Sequence, residues 1–233
     1  EAPARWVPAT LTPEQVLEVN AMVHIQNELV DEALDRVLSA ASDKGWNNDL
    51  DVIYTTDHGE FQGDFGLLFK GPYPVDSLMR LPLIWRPAPS TTGQPAVVTT
   101  PVGLIDLAPT FCDIAGLEVP DWMDGIPLPR SETDAANHGR AGVITEWDSL
   151  HPNGTEVHLQ SIVADQMLCT RYEAGTCHDG TEGELYDLAE DPLQRVNLWD
   201  DPAAGPRKVE LLEALEETIP DRPTNPLPAE AAV

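Results

Sequence analysis

Apolar residues recur at Val16, Val19, Val23, Val30, Leu34, Val37 and Leu38, a spacing that lays a stripe along one side of a helix. The start of that helix is marked three times over. Thr12 suits the N-cap, Pro13 the first helical position, and Gln15 completes a capping box. Gly45 stops it, so the pattern predicts a helix over 13–43, with Asn27-Glu28 and Asp31-Glu32 turned to solvent. The next run, Leu50 to Thr56, is short, β-branched and aromatic, with little polar alternation. That is how a strand buried on both faces of a mostly parallel sheet reads. Leu81 to Trp85 is a second run of the same kind. A long helix feeding such a strand makes half of a βαβ unit. Leu104, Leu107, Ala108, Phe111 and Ile114 then mark a helix over about 103–115, ended by Gly116, with Pro109 predicting a kink or a break at Ala108.

The pattern changes beyond a turn-rich stretch at 120–140. Val143–Thr145, Leu159–Val163, Met167–Arg171 and Glu184–Tyr186 are short strand signals separated by turns, which predicts a small antiparallel sheet. Val209, Leu211, Leu212, Leu215 and Ile219 mark a final amphipathic helix, and an extended Pro- and Ala-rich tail follows Pro220. The expected fold class is therefore α/β: a mostly parallel sheet with flanking helices, then a small antiparallel-sheet subdomain with a C-terminal helix. No internal repeat is evident.

Composition narrows the function classes. Of 233 residues, 42% are hydrophobic, enough to bury a core. The formal net charge is −27, which repels phosphate backbones and argues against nucleic acid as a partner. No run of about 18 apolar residues predicts a membrane span, and Glu1 to Thr10 shows no signal-peptide pattern. Cys112, Cys169 and Cys177 form no CxxC pair and read as idle thiols, although Cys169 and Cys177 could pair across a hairpin. Lysine is confined to Lys44, Lys70 and Lys208.

The chemistry concentrates where the first strand ends. Thr55-Thr56-Asp57-His58-Gly59-Glu60 places a carboxylate and an imidazole at the mouth of a sheet, where ligands of open α/β folds bind. Neighbouring carboxylate and neutral imidazole groups suit a divalent metal; the alternative is an ordinary polar turn. Four glycines from Gly59 to Gly71 let the following loop fold back over the strand end, carrying Lys70 with it. An ammonium there can meet an anionic ester as a point charge; the alternative is a solvated surface lysine.

Four motifs in order complete the picture. Val52-Ile53-Tyr54-Thr55-Thr56-Asp57-His58-Gly59-Glu60, with Gly63-Asp64-Phe65-Gly66-Leu67, Lys70-Gly71-Pro72 and Met79-Arg80-Leu81-Pro82-Leu83-Ile84, resembles the metal-and-substrate loop of the sulfatase family, within the alkaline-phosphatase-like superfamily. Asp106-Leu107-Ala108-Pro109-Thr110 with Met123-Asp124-Gly125, and then Gly183-Glu184-Leu185-Tyr186-Asp187-Leu188 with Glu190-Asp191-Pro192 and Asn197-Leu198, resemble later segments of the same family. The resemblance spans about residues 10–200 and implies the C-terminal half of such a protein. Residues 1–130 would be the C-terminal portion of the α/β catalytic domain, and 131–233 the small subdomain.

The resemblance implies that Asp57 and His58 ligate a divalent metal, usually calcium, with manganese admitted by the nitrogen ligand. It implies that Lys70 binds the sulfate of a small-molecule or saccharide sulfate ester. The family's Cys(or Ser)-x-Pro-x-Arg segment, source of its formylglycine nucleophile, has no counterpart here, and neither do its paired aspartates. These belong to an N-terminal half, the expected partner of this chain. Phe65 stands where many relatives have His, and no role is assigned to it. A phosphate or phosphonate ester hydrolase, a phosphoglycerol-type transferase, and a non-catalytic binding module of the same fold are the alternatives.

Overall fold

A computed structural model of the chain describes residues 6–8, 11–89, 97–138, 142–150 and 154–219. The expected tail after Pro220, and His151, lie outside them. The chain divides into two compact units, 1–95 and 96–233.

The first unit begins with β1 (Trp6–Pro8) and α1 (Pro13–Asp43). The expected helix boundaries hold because the capping box forms: Gln15 N donates to Thr12 Oγ1 at 3.3 Å, and Thr12 N donates to Gln15 Oε1 at 2.9 Å. After α1 the chain turns at Gly45, whose φ of 78° lies in the left-handed region. Then come β2 (Val52–Tyr54), β3 (Phe61–Gln62), β4 (Leu67–Phe69), the one-turn helix α2 (Asp76–Met79) and β5 (Ile84–Arg86). Strands β1, β4 and β3 form one sheet in that order, and β2 pairs with β5 in another.

Here the structure departs from the sequence reading. The two apolar runs pair antiparallel, with Ile53 opposite Trp85, and every strand pair among the described residues is antiparallel. Neither run is buried on both faces, since Tyr54 and Ile84 are 39% and 62% exposed. The Trp85 indole fixes the pair by donating to Asp51 Oδ1 at 2.8 Å. The unit's core is small, with Phe61, Val75 and Leu78 packed under Leu67 and Tyr73.

The second unit opens with a tight turn at Leu104–Asp106 that runs into α3 (Leu107–Ile114). The expected break at Ala108 is absent. Pro109 is the third residue of α3, in the first turn, where backbone N–H groups need no helical partner. Buried Asp106 accepts from Gly103 N and Ile126 N at 2.9 and 3.0 Å, and Thr110 Oγ1 accepts from Leu128 N at 2.8 Å. The Asp106-to-Thr110 motif thus anchors the 126–128 segment. Within the turn-rich stretch lies α4 (Glu132–His138).

The expected antiparallel sheet follows as a meander of β6 (Val143–Leu150), β7 (Glu156–Ala164), β8 (Met167–Tyr172) and β9 (Gly183–Asp187). The β7–β8 turn is the two-residue pair Asp165 and Gln166, both at positive φ, which matches the strand twist. The closing helix α5 (Gly205–Thr218) seats Leu211 and Leu215 on Ile162, Cys169 and Leu185. All three cysteines are free thiols. No helix among the described residues is long and apolar enough to cross a membrane.

Candidate active site

Antiparallel pairing explains how residues far apart in sequence meet. In the β3–β4 ribbon Phe61 stands opposite Phe69 and Gln62 opposite Leu68. One further step along this register leads to Glu60 and Lys70, beside the end of the Asp57-His58 turn. Lys70 Nζ accordingly donates to His58 Nε2 at 2.5 Å. The ribbon's turn, Asp64–Gly66, holds Phe65 at φ 53°, and β4 ends on Phe69 at φ 68°. Left-handed conformations are rare for aromatic residues, and such strain gathers near working sites. Phe65 is 52% exposed and meets Phe61 edge-on at 6.0 Å.

The turn at 57–59 is fixed from below. Gly59 N donates to Leu78 O at 2.7 Å, and a Cβ on Gly59 would lie 2.0 Å from Ser77 O. A glycine is needed here because the backbone of the turn passes against the backbone of α2.

Each polar group of the turn then has a defined task. Asp57 Oδ1 accepts from His58 N at 3.0 Å and Thr56 Oγ1 at 3.2 Å, which leaves Oδ2 facing His58 Nε2 at 3.4 Å. The backbone N–H of Asp57 itself, with the His58 ring, the His58 N–H and the Thr56 hydroxyl behind it, holds the Asp57 carboxyl below its ordinary range, so it is a carboxylate near neutrality. His58 Nδ1 lies 2.8 Å from Gly59 O. A carbonyl oxygen only accepts, so Nδ1 carries the proton and Nε2 presents its lone pair.

The donor set fits a divalent metal at two positions: an available carboxylate oxygen, and an imidazole nitrogen oriented by a hydrogen bond through its other nitrogen. Among the described residues no group of three His, Cys, Asp or Glu could hold an ion, so Asp57 and His58 stand as a pair. The cysteines add no activated nucleophile in the core: burial pushes the Cys169 thiol up to about 11 and keeps it protonated. The sequence singled out Asp57, His58 and Lys70, and the structure brings the three together. It missed the bond from His58 to Gly59 O and the strain at Phe65 and Phe69, which depend on register and φ rather than on residue type.

Residues 63–221 match the family model described as N-sulphoglucosamine sulphohydrolase, C-terminal. The chain is 34% identical over 179 residues to an uncharacterised sulfatase, YidJ, of Escherichia coli, covering 75% of this chain and 33% of that protein. Solved structures are similar as well, and two of them illustrate the likeness. One, described as BT4656 in complex with its substrate D-glucosamine-2-N,6-O-disulfate, is 26% identical with a TM-score of 0.65, over 81% of this chain and 38% of that one. The other, the phosphonate monoester hydrolase of Agrobacterium radiobacter, is 27% identical with a TM-score of 0.66, over 82% and 40%. The fold is thus that of the C-terminal part of alkaline-phosphatase-like proteins. The chain spans about a third of the curated relative's length.

Proposed function

The chain belongs to the sulfatase family, whose C-terminal part it spans, and on that premise we propose that it serves a metal-dependent sulfuric ester hydrolase. In this reading Asp57 and His58 are two ligands of the metal and Lys70 binds the sulfate group. The observation that carries it is the convergence of the three on one point, with Lys70 at 2.5 Å and Asp57 at 3.4 Å from the same imidazole nitrogen. In the same reading residues 1–130 belong to the catalytic α/β domain and 131–233 to the small subdomain, a functional boundary that falls within the second compact unit. Further ligands and the formylglycine nucleophile come from the N-terminal part of the family fold, and the substrate is a sulfate ester, with sulfated saccharides the favoured class.

A bound calcium or manganese ion would neutralise charge on the transferring group's oxygens. The chain's own residues do the rest. Gly59 O holds the His58 ring so that Nε2 faces outward, the Asp57 backbone keeps its carboxyl ionised, and the Lys70 ammonium binds sulfuryl oxygen as a point charge.

Metal titration beside kinetics on an aryl sulfate tests the assignment in the protein complete with its N-terminal part. Asp57→Ala and His58→Ala should weaken metal binding and turnover together. Lys70→Ala should keep the metal and lower kcat/KM by about 10²–10³-fold, the scale for losing one charge-stabilising donor. Residues 1–233 alone should leave the ester intact, because none of Cys112, Cys169 and Cys177 has the nucleophile's sequence context. Full metal affinity and rate in Asp57→Ala would refute the assignment. The similarity to a phosphonate monoester hydrolase favours a second reading, in which an aryl phosphonate is cleaved faster than the sulfate.

A further inference from the structure

The imidazole of His58 has two nitrogens, and the fold commits one of them. Nδ1 gives its proton to Gly59 O at 2.8 Å, which leaves a single lone pair on Nε2. Lys70 Nζ holds only protons to give and lies 2.5 Å from that Nε2. A metal bonded to His58 would use the same lone pair. Asp57 faces no such limit, because a carboxylate has about four acceptor positions and only Oδ1 is engaged by the turn.

We infer that Lys70 and a divalent metal compete for His58 Nε2, so that metal loading releases the Lys70 ammonium from the imidazole and frees it for an anionic ester group. This rests on the reading of Asp57 and His58 as metal ligands and adds a coupling to it. Metal and anion bind with positive linkage, carried by one side chain, and the linkage is reciprocal. The geometry favours the exchange: Lys70 is exposed, on the flank of a ribbon that ends at Phe69, so its head group can move without unpacking a core.

Charge alone would also set a lysine against a cation, so the test separates the two. An asparagine side-chain oxygen has two lone pairs and accepts from lysine and metal at once. Competition for a lone pair therefore predicts that the effect of Lys70 depends on which residue occupies position 58, whereas charge repulsion does not. Mn²⁺ binding to the protein complete with its N-terminal part, followed by water-proton relaxation, is compared in wild type, Lys70→Met, His58→Asn and the double variant. Lys70→Met should tighten Mn²⁺ about 5- to 10-fold when His58 is present, the scale of one net hydrogen bond, and less than about 2-fold in the His58→Asn background. In wild type, Mn²⁺ should also tighten inorganic sulfate, and Lys70→Met should reduce that gain to the part the ion itself supplies.

An equal tightening by Lys70→Met in both backgrounds, or none in either while His58→Ala loses Mn²⁺, overturns the competition and leaves the metal assignment standing. Unchanged Mn²⁺ affinity in Asp57→Ala and His58→Ala, or no saturable Mn²⁺ binding in any form, overturns both.

Discussion

Gly59→Ala isolates what holds the candidate site in place. The glycine has no left-handed φ to protect, so the cost of a methyl group is purely one of space. Its Cβ would lie 2.0 Å from Ser77 O and 2.9 Å from the same carbonyl's carbon, both backbone atoms of α2. Neither can swing aside as a side chain would, so the turn and α2 must part. Overpacking of this kind costs about 1–3 kcal/mol. Parting the segments also breaks the 2.7 Å bond from Gly59 N to Leu78 O, worth about 1 kcal/mol more. The expected loss is therefore about 2–4 kcal/mol, a fall in Tm of roughly 5–15 °C for a chain of this size. Because Gly59 O also orients the His58 ring, Mn²⁺ affinity should fall in the same variant. The control is Gly116→Ala. Its methyl group meets nothing within 4 Å, but its φ is 67°, so it should cost only about 1 kcal/mol of backbone strain and leave Mn²⁺ binding unchanged. Urea unfolding followed by circular dichroism reads both. A loss below about 0.5 kcal/mol for Gly59→Ala, the range of an ordinary surface substitution, would show that the turn does not lie against α2.

Two further outcomes probe the second unit. Burial raises the Glu184 carboxyl above its ordinary value of 4.5, opposed by the Tyr172 hydroxyl that bonds Oε1 at 3.1 Å, while Oε2 is buried with no hydrogen-bond partner among the described residues. An acid whose folded pKa is raised loses stability as pH climbs from its unfolded pKa through the folded one. Glu184→Gln should thus raise the urea midpoint at pH 7, with the gain gone at pH 4 and below, and a gain independent of pH would refute the cause. Thr110→Val keeps the side chain's shape but strips Leu128 N of its acceptor in a buried site. It should cost about 1–3 kcal/mol, read by the same unfolding measurement, whereas Thr110→Ser should recover most of the loss.

Local signals survived the passage from sequence to structure, and non-local ones did not. The α1 boundaries were legible because Thr12, Pro13 and Gln15 act on one another within a single turn. The four strands of the meander were legible because their apolar runs are broken by turn residues at close spacing. The 57–59 turn was legible as a cluster of residue types, yet its meeting with Lys70 depends on the register Phe61 to Phe69, which no spacing rule supplies. The need for glycine at position 59 was not legible either, because it comes from the close approach of α2, a segment about twenty residues further on.

The misreading of β2 and β5 is of a different kind. Apolar character marks which residues tend to be buried, not which strand pairs with which. Val52, Ile53, Ile84 and Trp85 read as core on both faces because their side chains are apolar throughout. In the structure β2 and β5 pair antiparallel and remain partly exposed. The same excess appears on α1, where Leu17, Met22, Ile25, Leu29, Val30 and Val37 are each more than half exposed and Ala41 alone is buried. Scattered exposed apolar residues need no explanation, but six on one helix beside a half-covered strand pair exceed what a solvated surface carries. A cavity of about 370 Å³ runs between them, lined by Val30, Leu34, Leu38, Val52 and Ile84. The sequence reading was therefore right about the chemistry of these residues and wrong about the pairing, since apolar character is written residue by residue while strand direction is a property of the partner.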